Sequence, residues 1–333
     1  MSIEPASAKD MSELTRRIAA YNAERPGVIA LRDNNRQQLL KKLMPYAALV
    51  VIAAVAAAFL AHWLVAVAVA VLGGGALIAA WLWQSVDADA PADALNERMR
   101  SEVLPAIFHD IDDFNFEANV YGFLDEIPGA IMPAYDKGEW GDLIEGSYRG
   151  RDFAINELHL IAEERSAANT SNTGAATRNV TRFKGVAIQA RLARKVPETL
   201  ILRKGRAAAA RWIAKKLGAA LKEPHVETGD SEFDRRHEVH CRDEKYARAV
   251  FSADGIKRFH AMQQQYSTGD FQFVARKRTL TMMIEQSHDF FEIPPIEHPF
   301  DEARDVPRLR EEIEGFLALL AEMDRLLDVK APE

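Results

Sequence analysis

Cysteine is nearly absent from this sequence: Cys241 stands alone among 333 residues. A single thiol excludes a disulfide framework and any CxxC-type zinc or iron–sulfur site, and it agrees with a reducing compartment. No GxGxxG, GxxxxGK[ST], HExxH or GxSxG segment occurs, so the common dinucleotide, nucleotide, metalloprotease and serine-hydrolase signatures are missing. No cofactor is therefore expected. No internal repeat is visible either. A basic excess is missing too: the formal net charge is −7, which argues against a nucleic-acid partner. The most informative absence is local. From Leu43 to Trp83 there is no Asp, Glu, Lys or Arg.

A helix over that run would be about 60 Å long at about 1.5 Å per residue, against a hydrocarbon core about 30 Å thick. Two passes fit and one does not. The break falls at Ala61-His62-Trp63, which predicts a hairpin of two transmembrane helices, 44–60 and 63–83. Trp63, Trp81 and Trp83 sit at predicted helix ends, where indoles favour the headgroup layer. The run starts too far into the chain, and is too long, for a signal-peptide h-region. Arg32, Arg36, Lys41 and Lys42 crowd the entry flank, whereas the turn carries no Lys or Arg. Asp87, Asp89 and Asp93 follow the exit, but acids count little in orientation. Both termini are thus expected in the cytoplasm, where the sequons at Asn169 and Asn179 would stay unmodified. Small pairs, Ala53/Ala57, Ala54/Ala58 and Gly75/Ala79, let helices approach closely, within the hairpin or between copies.

Outside the hairpin the pattern is that of an α+β protein. Residues 1–42 form a cytoplasmic helical segment with an apolar stripe at Met11, Leu14, Ile18 and Tyr21, interrupted at Pro26-Gly27. Residues 84–93 read as an acidic linker, and 94–114 as a helix that Pro105 bends. From Asp142 the period becomes two. Strands are expected over 142–150 and 152–163, around a turn at Tyr148-Arg149-Gly150-Arg151. Residues 166–179 read as a loop. Further strands follow at 182–194, 199–203, 238–241, 271–275, 279–285 and 290–293, with helices at 206–221, 244–251 and 253–265. Hairpins rather than βαβ alternation argue for a mixed, largely antiparallel sheet in a cytoplasmic domain, 85–293. A Pro-rich linker and a heptad-patterned helix, 294–333, complete the chain. Leu309, Ile313, Phe316, Leu320, Met323 and Leu327 form a seam suited to packing on the domain or pairing with another copy.

Three segments occur in a distinctive order: "IEGSYRGRDFAINELHL", "RFKGVAIQARLARKVPETLIL" and "EFDRRHEVHCRDEKYARAVFS". Over roughly residues 90–295, with the apolar hairpin ahead, the chain resembles the bacterial membrane proteins grouped as "domain of unknown function 3137". The residues that carry the resemblance are Gly146, Gly150, Phe153 and Glu157; Phe183, Lys184 and Gly185; and Phe233, Val239, Asp243, Ala247 and Arg248. His237 departs from it, standing where an aromatic is expected. The resemblance implies a bacterial inner-membrane location and this topology; it implies no activity.

Candidate chemistry is sparse. His109, Asp112 and Asp113 would share a helix side and could offer metal ligands, but Arg98 and Glu102 make a solvated face the simpler reading. His237, His240 and Cys241 lie on an expected strand, where they cannot converge on zinc, so Cys241 reads as a small buried hydrophobe. Glu139, Asp142 and Glu145 flank Trp140 as a polar rim. Glu157 lies among apolar strand neighbours and would need a partner such as Arg191 or Lys184; it is the possible functional carboxylate. On helix 206–221, Lys204, Arg211, Lys215 and Lys222 fall on one side and Ile213, Leu217 and Leu221 on the other, a basic face able to meet anionic lipid. The expected function is a membrane-anchored binding or scaffold protein that self-associates or binds another membrane protein. A membrane-bound enzyme and a transport-complex subunit are the alternatives, and a cleft holding Glu157 with a raised pKa would favour the enzyme.

Overall fold

The computed structural model describes residues 8–60, 63–165, 177–204 and 221–329. It divides into a helical unit, residues 6–107 with 293–305, and a sheet unit containing residues 108–292 and 306–333.

The helical unit is built on two long helices, α1 (Ala8–Leu60) and α2 (Trp63–Arg98), which pack on each other. A π-helical turn, Met99–Val103, and a short helix α3 (Leu104–Ile107) extend α2. Leu14, Ile18 and Tyr21 are buried as the stripe requires, together with Ala88, Ala92, Leu95 and Met99. Several expectations need correction here. Pro26 does not break the first helix, although an internal proline costs about 3 kcal/mol. The segment 293–305 braces α1 on either side of it. Asn22 exchanges two hydrogen bonds with the Phe300 backbone, Arg25 donates to the Ile296 carbonyl, and Arg32 pairs with Glu297 at 2.7 Å. The acidic stretch 84–93 is helix rather than linker; Asp89 accepts from Nε and Nη2 of Arg36. The helix expected over 94–114 ends at Ile107, and the backbone widens into its π turn just ahead of Pro105, where the Leu104 N–H reaches back to the Met99 carbonyl.

The small pairs chosen for helix packing in the apolar run are only partly on the contact. Past Leu43, the half-buried positions described there are Val50, Ala54 and Ala57 on α1 and Ala66, Val69, Gly73, Gly74, Leu77 and Ala80 on α2. Spacings of three and four make each set one helical stripe. Ala57 lies on its stripe, whereas Ala53, Gly75 and Ala79 are exposed. The reason is rotation: Ala53 and Ala79 each precede a seam residue by one position, and one residue turns a helix by about 100°. The close approach instead falls at Gly73, where an added Cβ would meet the Val50 side chain; Gly74 and Gly75 have open space there.

Among the described residues the sheet unit holds nine strands in the order β1-β2-β3-β4-β9-β8-β5-β7-β6. They are β1 (Asp112–Glu117), β2 (Lys137–Tyr148), β3 (Arg151–Arg165), β4 (Thr177–Arg191), β5 (Leu200–Lys204), β6 (His225–Val226), β7 (His237–Cys241), β8 (Phe271–Arg276) and β9 (Thr279–Glu285). Every pairing is antiparallel, so the sheet is not mixed. Asp112, expected on a helix beside His109, opens β1 opposite Ser147. Residues 290–293 are not a strand.

Period-two alternation sorts the two faces. Ala154, Leu158 and Leu160 of β3 join Phe183, Ala187 and Met283 in a core capped by Phe123, Leu124, Ile127 and Ile131. Beyond the strands come α4 (Ser231–Arg236), α5 (Glu244–Val250) and α6 (Ala253–Tyr266), whose rings Phe233, Phe251 and Phe259 stack among one another and on Phe271 and Phe273. The last helix, α7 (Glu302–Leu327), lies along Phe153 and Leu280. Five of its six seam residues, Leu309, Ile313, Phe316, Met323 and Leu327, are buried within the chain's own fold; Leu320 is half-buried.

Candidate functional site

The cleft that emerges lies in the sheet unit, where a β-bulge meets the chain leaving β9. Trp140 pairs with Leu158 and Leu143 with Asn156, so Gly141 and Asp142 of β2 face Glu157 alone. That bulge re-aims the strand. A side chain at Gly141 would overlap the Glu157 Cβ, so the glycine leaves room for the carboxylate. On the other flank Gly185 has φ +155°, and a Cβ there would collide with the Ile284 carbonyl oxygen. Both glycines keep the backbone close to Glu157. The resulting cavity measures about 330 Å³, with Glu139, Asp142, Glu157, Asp289 and Glu292 set against Lys184, His159 and His288.

The Phe290 backbone N–H donates to Glu157 Oε1. Burial, with Asp142 and Asp289 nearby, outweighs that hydrogen bond and pushes the Glu157 pKa up to about 7. The partners expected for Glu157 are engaged elsewhere. Lys184 pairs with Asp289 at 3.2 Å, and Arg191 lies 3.8 Å from Asp152. His159 spans Glu139 at 2.6 Å and the Thr181 hydroxyl at 2.9 Å. A carboxyl near half-ionisation at neutral pH, beside an exposed histidine–carboxylate pair, can exchange protons or receive a cationic group. Of the sequence candidates, the fold brings Glu157, Glu139 and Asp142 together and leaves Glu145 on β2 outside the cleft. Sequence reasoning missed Asp289, Glu292 and His288, which lie just past β9.

The other candidates are placed as follows. Among the described residues no group of three or more His, Cys, Asp or Glu is arranged to hold a metal. His237 is buried, stacked on Phe233 at 4.6 Å and edge-on to Phe259 at 5.3 Å, and burial holds its pKa down at about 4. It packs as the aromatic expected at that position would. Glu238 is fully buried with Arg203 at 2.6 Å, and His240 lies beside it. Cys241 is buried, and burial raises its pKa. Arg211 and Lys215 lie outside the described residues; Lys204 pairs with Asp270 at 2.7 Å and Lys222 is exposed.

The residues that carried the family resemblance now divide. Asp243 caps α5 through the Tyr246 N–H, Phe153, Phe183, Phe233, Val239 and Ala247 are core, Gly150 turns the β2–β3 hairpin, and Arg248 pairs with Glu244. Gly146 lies against Ile111, where a Cβ would collide with that side chain, and the remaining three, Glu157, Lys184 and Gly185, line the cleft. Residues 181–325 match the family described as "Protein of unknown function (DUF3137)". The DUF3137 match opens in β4, includes Lys184, Gly185 and the 288–292 wall, and runs into α7; Glu139 and Glu157 stand before it. No curated protein matches the chain. Among solved structures, the mycobacterial trehalose monomycolate transport factor A, TtfA, is 12% identical over 66% of this chain and 90% of that chain, with a TM-score of 0.35. A likeness that loose assigns neither fold nor function.

Proposed function

We propose that this is a bacterial inner-membrane protein, anchored by the α1–α2 hairpin with both termini cytoplasmic, that works as a binding or scaffold protein. The observation that supports it is the exposure of the apolar helix surfaces: Phe59 is 86% exposed, Leu72 74% and Trp83 82%, with Met44, Leu49 and Ile52 exposed beside them. An apolar surface of that extent needs a lipid or protein cover. Both helices are long and apolar enough to cross a membrane. Beyond Trp83 the helical path continues to Ile107, about 36 Å at about 1.5 Å per residue, so the pair forms a polar stalk beyond the apolar run. Lys41 and Lys42 remain exposed at the entry flank, while Arg32 and Arg36 are paired within the stalk. Contact of Lys222 and its neighbours with anionic lipid belongs to the same proposal, as does helix contact between copies at the outward-facing Ala53, Gly75 and Ala79. Alkaline extraction of membranes and reporter fusions after residue 42 and at the C-terminus test it. Retention in the pellet with two cytoplasmic readings is expected; a soluble chain or opposite readings would refute the hairpin.

A second reading, a membrane-bound enzyme using Glu157 for proton transfer, is favoured by the cleft and the raised pKa of that carboxyl. Incubating a cell metabolite extract with the wild-type protein and with Glu157→Gln decides it. An enzyme consumes a compound only in the wild-type sample; identical metabolite profiles would remove this reading.

A further inference from the structure

The sheet carries opposite charge at two places along its strands. The acidic cleft lies midway along β3 and β4. At the other, the register sets the β2–β3 turn, the end of β4 and the β8–β9 turn in one row: Phe153 faces Ala190, Ala190 faces Leu280, and Arg191 faces Thr279. The loop after β4 is tied to the β8–β9 turn by two backbone hydrogen bonds, Leu192 N–H to the Arg278 carbonyl and Val196 N–H to the Lys277 carbonyl, each 2.8 Å. This rim presents Arg149, Lys195, Arg276, Lys277 and Arg278, all exposed and without a carboxylate partner among the described residues. Other cations there are engaged: Arg151 by Asp324 and Arg194 by Asp328. Five uncompensated cations on a chain of net charge −7 are a marked concentration.

Two of them also occupy backbone positions that oppose their side chains. Arg149 has φ +54° and Lys277 φ +55°, the left-handed region that hairpin turns ordinarily fill with Gly, Asn or Asp. Each hairpin tip at this end thus carries a long cation where local preference calls for a short residue.

We propose that the rim docks, through the protruding Lys277-Arg278 tip, into the acidic cleft of a second copy of this chain. Three cations at the tip, Arg276, Lys277 and Arg278, face five carboxylates in the cleft, which one lysine and two histidines only partly offset. The cavity, about 330 Å³ and open to solvent, is large enough for an arginine or lysine head group. The two surfaces lie at different points along the same strands, so the contact is head-to-tail: each copy offers a tip and a cleft, and assembly continues until a ring closes. Anionic lipid is the other chemistry that a basic rim suits. The five carboxylates of the cleft, facing a tip of three cations, favour the second copy.

The test uses the full chain in mild detergent and measures particle mass by light scattering at two salt concentrations. Wild type assembles at low salt and dissociates at high salt. A rim-reversed variant, Lys277→Glu with Arg278→Glu, shows no salt-dependent assembly, and neither does a cleft-reversed variant, Glu139→Lys with Glu292→Lys. Mixing the two variants restores assembly, because each reversed tip then meets a reversed cleft; this restoration also shows that both variants fold. A wild type that stays monomeric at low salt, a rim-reversed variant that assembles undiminished, or a mixture that stays monomeric would each overturn the proposal. So would a monomeric wild type whose rim instead retains anionic vesicles or an oligonucleotide.

Discussion

Replacing Glu157 by Gln removes one titration and leaves the shape and an acceptor for the Phe290 N–H. The Glu157 carboxyl sits at about 7 in the folded chain against an ordinary 4.5, chiefly through burial. At about 1.36 kcal/mol per pKa unit, that gap corresponds to about 3 kcal/mol. The sign follows from proton counting. Below pH ~4.5 the carboxyl is protonated in both folded and unfolded chains and contributes no slope. Between about 4.5 and about 7 the unfolded chain releases the proton while the folded chain keeps it, so rising pH destabilises the fold. Above that window the loss is complete and constant. Glu157→Gln has no such loss, so its advantage over wild type grows from pH ~4.5 to pH ~8. For a sheet unit of about 200 residues, where each kcal/mol shifts Tm by roughly 2–4 °C, the gap should widen by roughly 6–12 °C. Thermal unfolding of both proteins in detergent across that range measures it. Parallel Tm curves would refute the raised pKa and, with it, the proton-exchange chemistry assigned to the cleft.

Three further outcomes follow from the packing. Gly73→Leu should splay the hairpin, because a Cβ at residue 73 already meets the Val50 side chain, whereas Gly74→Leu points into open space; pairwise distance measurements between spin labels on α1 and α2 should change for the first and not the second. His237, held neutral at about 4, supplies stability that is fully present above its unfolded pKa of about 6.5 and lost as pH falls through 4; His237→Phe should keep the neutral-pH stability and remove that acid loss in denaturation curves. Gly185→Ala should destabilise the sheet unit by about 3 kcal/mol or more, through a positive φ and a collision with the Ile284 carbonyl, read as a lowered denaturation midpoint.

The elements that were legible in the sequence are those whose signal is local. The uncharged run Leu43–Trp83 falls in two apolar helices, and the Met11–Tyr21 stripe buries three of its four members. The β2–β3 turn at Arg149-Gly150, strands β8 and β9, and helices α5 and α6 come within a residue or two of their expected bounds. The misses have one cause. β1 is short and acidic, with four of its six residues polar or charged, and becomes a strand only because β2 lies beside it. Pro26 stays helical because a segment more than 260 residues later holds the turn around it. In the apolar run, small residues are so frequent that spacing alone cannot say which of them turn inward; the seam takes Ala57 and leaves Ala53, Gly75 and Ala79 outside. None of these partners is visible from the local pattern.

The cleft shows the same limit from the functional side. Glu157 was conspicuous as a carboxylate among apolar strand neighbours, and Glu139 and Asp142 as acids around a tryptophan. Nothing in the sequence joins them, since the bulge that turns Gly141 and Asp142 toward Glu157 is a two-against-one register that only the paired strands define. The far wall depends on β4 pairing with β9, strands separated by β5 to β8 in the chain, which carries Asp289 and Glu292 to Lys184. The same pairing fixes the other end of those strands, where Arg191 meets Thr279 and the β8–β9 tip stands out. One non-local pairing therefore sets both the acidic cleft and the basic rim. A substitution that weakens β4–β9 register, such as Gly185→Ala, should disturb cleft titration and salt-sensitive assembly together, whereas charge reversal at Lys277 and Arg278 should abolish assembly and leave the Glu157 titration in place.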